Sequence, residues 1–257
     1  MLNRQGYILA FTLALLLGLS FMVGVLHLEG QRERRLIYAT LEQKRIYLLA
    51  LSLKNILWQE GLRRLKEEGH FPKTIELKIA DQKIGPLQVQ MTVSSEKERL
   101  DLNQVDEETL FSFLLGIGIS ERRARIMAES LLDWRDEDDF HRLDGAERDF
   151  YLSLGYEPRN GPLKCFSEPV LIRGFDPYLY WIKPGVYQWV TIYGGQGRLG
   201  PDFFREIEKE EPEGLTLQEG GVYRVQLSLK FQNKQFHYLE IFRYKTKGLE
   251  ELFEFWW

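Results

Sequence analysis

The residues with most to offer chemically lie in one acidic stretch. It runs Asp133-Trp134-Arg135-Asp136-Glu137-Asp138-Asp139 and resumes at Asp144-Gly145-Ala146-Glu147-Arg148-Asp149. Eight acids fall between Asp133 and Asp149, against three arginines. Oxygen ligands packed this closely suit a hard dication such as Ca²⁺, which takes about six to eight of them. Asp133, Asp136, Asp138 and Glu147 are the candidate ligands. Their spacing is not that of an EF-hand loop. A solvated acidic turn that caps helices explains the same residues, and spacing alone favours the turn. No catalytic constellation competes with this stretch. His27, His70, His141 and His237 are scattered, with no His-x-x-x-His pair and no nucleophile elbow. Cys165 is the single cysteine, so no intrachain disulfide can form.

The acidic stretch follows two short helices expected around Glu107–Leu115 and Glu121–Leu132. Gly116-Ile117-Gly118 joins them, and Ser120 is a good N-cap for the second. This pattern resembles a helix-hairpin-helix, a module that grips the DNA backbone through hairpin amides and basic neighbours. Charge argues against nucleic acid. Four basic residues (Arg99, Arg122, Arg123, Arg125) face six acidic ones between Arg99 and Ser130. DNA affinity depends on neutralising phosphates. The whole chain, at net −4, has no general pull toward polyanions either.

On either side of this region the pattern switches to strands. Thr74 to Ile79 and Leu87 to Val93 alternate as a hairpin broken at Gly85-Pro86. Val190 to Gly194 is strand-like. Gly194 to Gly200 lacks the Lys-Ser/Thr of a phosphate loop and reads as a turn, with a short acidic helix expected over Asp202–Glu211. Gly221 to Leu229 and Phe236 to Tyr244 alternate again, with Asn233-Lys234 as the turn. The aromatic end, Phe253, Phe255, Trp256 and Trp257, is expected to close the sheet against a long helix.

That helix begins with the run Tyr7 to Leu28, which contains no Asp, Glu, Lys or Arg. It suffices for one membrane crossing, which needs about 20 apolar residues. Helical patterning continues from Gln31 to a stop at Gly69 and Pro72. Leu48, Leu51, Trp58, Leu62 and Leu65 form the expected buried face. Three readings fit the N-terminal run. It is a cleaved signal peptide ending near Gly18-Leu19-Ser20, a plain signal anchor, or a prepilin-type segment. In the third, Gly6-Tyr7 resembles the site cut by prepilin peptidase. Most pilins carry Glu at the fifth mature position; counted from Tyr7, this chain has Phe11. Arg4 precedes the run and Arg32, Arg34 and Arg35 follow it, so flanking charge does not favour the N-terminus inside.

Leu102-Asn103, Leu131 to Asp138, Gly145-Ala146-Glu147, Phe150-Tyr151, Tyr156 to Leu163 and Ser167-Glu168 resemble the general secretion pathway protein K family. Its members are minor pseudopilins of the type II secretion system. The resemblance implies an α+β fold: a pilin-like long N-terminal helix packed on an antiparallel sheet, with an inserted all-helical domain. The implied divisions are a leader (1–6), a transmembrane segment (7–28), the rest of the helix with the first strands (29–98), the insertion (99–185) and the closing strands (186–257). It also implies bound calcium, I- and J-type minor pseudopilins and the inner-membrane assembly platform as partners, and processing by prepilin peptidase. The expected location is the bacterial inner membrane, single-pass, with the C-terminal domain in the periplasm, at the pseudopilus tip and without enzymatic activity. One departure stands out. The family usually continues after the Val190 strand with an Asn-rich motif and more helix, so a smaller insertion is expected here. A competence-type DNA receptor and a type IV pilus minor pilin are the alternatives.

Overall fold

The computed structural model describes residues 4–81, 85–198, 203, 214–231, 234–245 and 247–257. The expected helix at Asp202–Glu211, Phe203 apart, lies outside the described residues, as do the leader residues 1–3. The chain divides into two units, Met1–Asn55 and Ile56–Trp257.

Helix α1 (Arg4–Glu68) makes up the described part of the first unit and enters the second. It is the one described helix long and apolar enough to cross a membrane. Its apolar side chains from Phe11 to Leu28 are largely exposed, Phe11 at 64 %. The buried stripe differs from the one spacing suggested. Ala50, Leu53, Leu57 and Gly61 are buried, whereas Leu48 is 60 % exposed. The two small residues carry no hydrophobic signal, yet Gly61 is where the Phe71 ring lies flush on the helix. A Cβ there would collide with that ring. Trp58 flanks the stripe, 4.7 Å from Phe71 and 5.2 Å from Phe242 between ring centres.

The second unit is built on a five-stranded antiparallel sheet. Its strands are β1 (Thr74–Asp81), β2 (Gly85–Ser95), β5 (Val222–Phe231), β6 (Lys234–Lys245) and β7 (Gly248–Trp256), in the order β1-β2-β5-β6-β7. The α+β class is as expected, with the part of α1 in this unit packed on an antiparallel sheet through Trp58. β2 and β5 are hydrogen-bonded neighbours, with Met91 opposite Leu227 and Val93 opposite Val225. Everything between them in sequence is therefore an insertion into the sheet. Strand alternation sends Met91, Val93, Val225, Leu227 and Phe242 to the side where Trp58 packs. It sends Val222, Leu239 and Ile241 into the core of the insertion.

The insertion contains β3 (Leu100–Asp101), α2 (Glu107–Gly116), α3 (Glu121–Arg135), α4 (Arg148–Leu152), α5 (Pro177–Trp181) and β4 (Val190–Thr191). β3 and β4 pair in parallel and close its neck. Asp101, buried there, accepts from the backbone N–H groups of Asn103, Gly194 and Gly195 and from Gln104 Nε2.

Three of the four C-terminal aromatics turn away from the Trp58 side of the sheet; Trp256, opposite Tyr238, alternates to that side. Phe253, Phe255 and Trp257 share the opposite face and stack toward the insertion. Trp181 lies 4.3 Å from Phe255 at an interplanar angle of 28°, and Tyr187 meets Trp257 edge-on at 5.3 Å. The physical reason is register. Leu239 and Ile241, which face the insertion, sit opposite Phe255 and Phe253, so the pleat carries those rings to the same side.

Candidate metal centre

The site is assembled from the end of α3 and the loop returning to α4. Asp133 lies in the last turn of α3, Asp136 caps it, and Glu147 caps the start of α4. Trp134 fixes this end of α3. Its Nε1 donates to Glu168 Oε1 at 2.9 Å, and its ring meets Tyr151 edge-on at 5.0 Å. Glu168 also accepts from Arg159 and from the Lys164 N–H. Burial pushes the Glu168 carboxyl up, but these donors outweigh it and hold the group below its usual range.

Asp133, Asp136 and Glu147 each place a carboxylate oxygen within 4.8 Å of the others. Three carboxylates at that separation repel strongly unless a cation intervenes. The cation present is Arg142. Its Nη1 donates to Asp133 Oδ1 at 2.5 Å and to Asp136 Oδ2 at 2.8 Å. Its backbone N–H adds a bond to Asp133 Oδ2 at 3.1 Å. Glu147 receives nothing comparable. It is 1 % exposed, and neither of its oxygens has a hydrogen-bond partner; Asp136 Oδ1 is likewise buried and unpartnered. Burial first, then the charges of Asp133, Asp136, Asp139 and Asp138, push the Glu147 carboxyl up to about 7. Asp133 is also raised, by burial acting against its bonds to Arg142. A buried polar group without a partner costs free energy, and added positive charge at this cluster would offset that cost. An oxygen-only donor set of this kind fits a hard dication. Gly145 is required by the same packing, since a Cβ there would run into the Asp133 carboxylate.

The fourth expected ligand lies apart. Asp138 is exposed and uses Oδ1 to accept from the Phe140 N–H. The processing residues Gly6 and Tyr7 lie in the backbone of α1, and the expectation attached to their side chains lies outside what the structure describes.

The helix-hairpin-helix pattern is present as α2 and α3, but the three amides of its Ile117–Ile119 turn are bonded within the chain. Ile117, Gly118 and Ile119 N–H groups all bond to carbonyls of α2. Arg123 pairs with Asp176 and the Gly174 carbonyl, and Arg125 lies over the Phe111 ring. Two features escaped sequence reasoning. Arg224 is fully buried and pairs through two nitrogens with Glu96, at 2.7 and 3.0 Å. It also donates to the Tyr187 and Val190 carbonyls, tying the sheet to the insertion. Asn103 makes a two-way bond with the Leu163 backbone, which gives the Leu102-Asn103 motif its role. Neither pairing is local, so periodicity carried no signal for them.

Residues 90–185 match the family model of type II secretion system protein K. The protein K match thus begins within β2 and runs through α5, covering every member of the carboxylate cluster. The fold is similar to a chain in the crystal structure of the GspK-GspI-GspJ complex from the enterotoxigenic Escherichia coli type 2 secretion system. That similarity has a TM-score of 0.53 at 15 % identity and covers 84 % of this chain and 98 % of the other. Among curated proteins, no sequence match was found.

Proposed function

We propose that this chain is a minor pseudopilin of the type II secretion system that caps the pseudopilus tip and helps start its assembly. The observation carrying this reading is a protein K domain set into the sheet of a pilin-like fold. It lies between two strands that pair directly with each other. The role is structural and not catalytic. I- and J-type minor pseudopilins are the proposed partners, in line with the complex whose chain shares this fold. The N-terminal half of α1 is the proposed single-pass inner-membrane anchor, with the second unit in the periplasm. In this reading prepilin peptidase cuts between Gly6 and Tyr7, and the assembly platform engages the processed helix.

Phe11 supports the tip position. In a pilin whose fifth mature residue is Glu, the carboxylate sits among apolar helices and needs a neighbour's amine. An unpaired carboxylate at that depth is costly. A subunit with no neighbour above it has no amine to use, and Phe11 removes the difficulty.

The metal centre is proposed to hold Ca²⁺ through Asp133, Asp136 and Glu147. The ion would supply the positive charge that Glu147 lacks and would fix the loop between α3 and α4. The competence-receptor reading is disfavoured by the spent hairpin amides and the paired Arg123.

Affinity purification of the tagged full-length chain from native-host membranes tests the assembly. I- and J-type minor pseudopilins should co-purify in defined ratio, and deletion should abolish secretion. Recovery of neither partner, with secretion intact, would contradict the proposal.

A further inference from the structure

Among the described residues, Arg142 is the basic side chain inserted into the carboxylate cluster. It comes from the loop whose two ends supply Asp136 and Glu147. Its guanidinium engages one oxygen of Asp133 and one of Asp136, leaving Asp136 Oδ1 and both Glu147 oxygens buried and unpartnered. Its Nε lies 3.8 Å from Glu107, so α2 also helps to hold it. Arg142 therefore does two things. It clamps two like-charged carboxylates side by side, and it fills only part of their acceptor capacity. The charge of the cluster follows. Three carboxylates and one guanidinium leave −2, which a dication neutralises.

We infer that Arg142 is the positioning and charge-setting residue of this centre, matching it to divalent cations. The inference rests on the cation-site reading above. Ligand carboxylates are commonly held by hydrogen bonds from outside the metal's own shell, and such partners tune affinity by tenfold or more. A fixed positive charge beside the ion also repels a trivalent ion more than a divalent one, in proportion to charge. Arg142 should thus penalise lanthanides relative to Ca²⁺. A residue that merely supported the fold would not alter that ratio.

The test uses the full-length chain in detergent micelles. Ca²⁺ affinity is measured by calorimetry and Tb³⁺ affinity by tryptophan-sensitised luminescence. Melting curves establish that each variant is folded. Arg142→Gln should shift the preference toward Tb³⁺ over Ca²⁺ on the order of tenfold. Arg142→Lys keeps the charge but loses the fork. It should weaken both ions and leave the preference within about twofold of wild type. An unchanged preference in folded Arg142→Gln overturns the inference while leaving the cation site standing. If Arg142→Gln does not fold, the preference is read in Arg142→Met: a shift toward Tb³⁺ supports the inference, and an unchanged preference overturns it. If wild type binds neither ion, or Glu147→Gln binds both as wild type does, the cation-site reading fails and takes the inference with it.

Discussion

Glu147 sits buried against two other carboxylates, and its proton is held up to about 7, against an ordinary value of 4.5. The folded state therefore binds this proton more tightly than the unfolded chain does. With metal chelated, stability should fall as pH rises from about 4.5 through about 7. Glu147→Gln should flatten that slope and raise the melting temperature at pH 8 by a few degrees. Ca²⁺ should raise the melting temperature of wild type and leave the variant unmoved; calorimetric scans at several pH values check both. Gly145→Ala places a Cβ against the Asp133 carboxylate. It should cost about 1–3 kcal/mol and weaken Ca²⁺ binding together, read by denaturant melts and calorimetry. The acids themselves were legible in the sequence. Which of them converge was not, because Asp138 differs from Asp136 only in its place beyond the end of α3. Nor was Arg142 legible, since its role depends on the path of a loop.

At the scale of elements, two contacts can be tested one at a time. The Arg224–Glu96 pair is fully buried, and removing one partner strands the other's charge. Arg224→Leu should cost about 3–5 kcal/mol in denaturant unfolding, with part recovered in Arg224→Leu/Glu96→Leu. On the other face, Gly61→Val would force the Phe71 ring off the helix, costing about 1–3 kcal/mol by the same measurement. The long helix, the hairpin of β1 and β2, and strands β5 and β6 all followed from periodicity and turn residues. The buried stripe of α1 did not, because Ala50 and Gly61 are small and the larger Leu48 faces outward. The aromatic end was recognisable as apolar, but its direction depends on the register of β7 against β6, which no local pattern encodes.

For the whole molecule, the proposed assembly role draws on the apolar helix, the antiparallel sheet and the insertion that matches protein K. That role needs the chain to enter a filament by its processed N-terminal helix and to end the filament there. Phe11→Glu should then reduce pseudopilus initiation and secretion in the native host, since the new carboxylate has no amine above it. An unaltered secretion titre would argue against the tip position. The claim beneath all of this is processing. The mass of the mature N-terminus, measured on the chain from native-host membranes, tests it most directly. The account predicts a chain beginning at Tyr7 with a methylated amine. An intact Met1, or a start near Phe21 from ordinary signal-peptide cleavage, would contradict it.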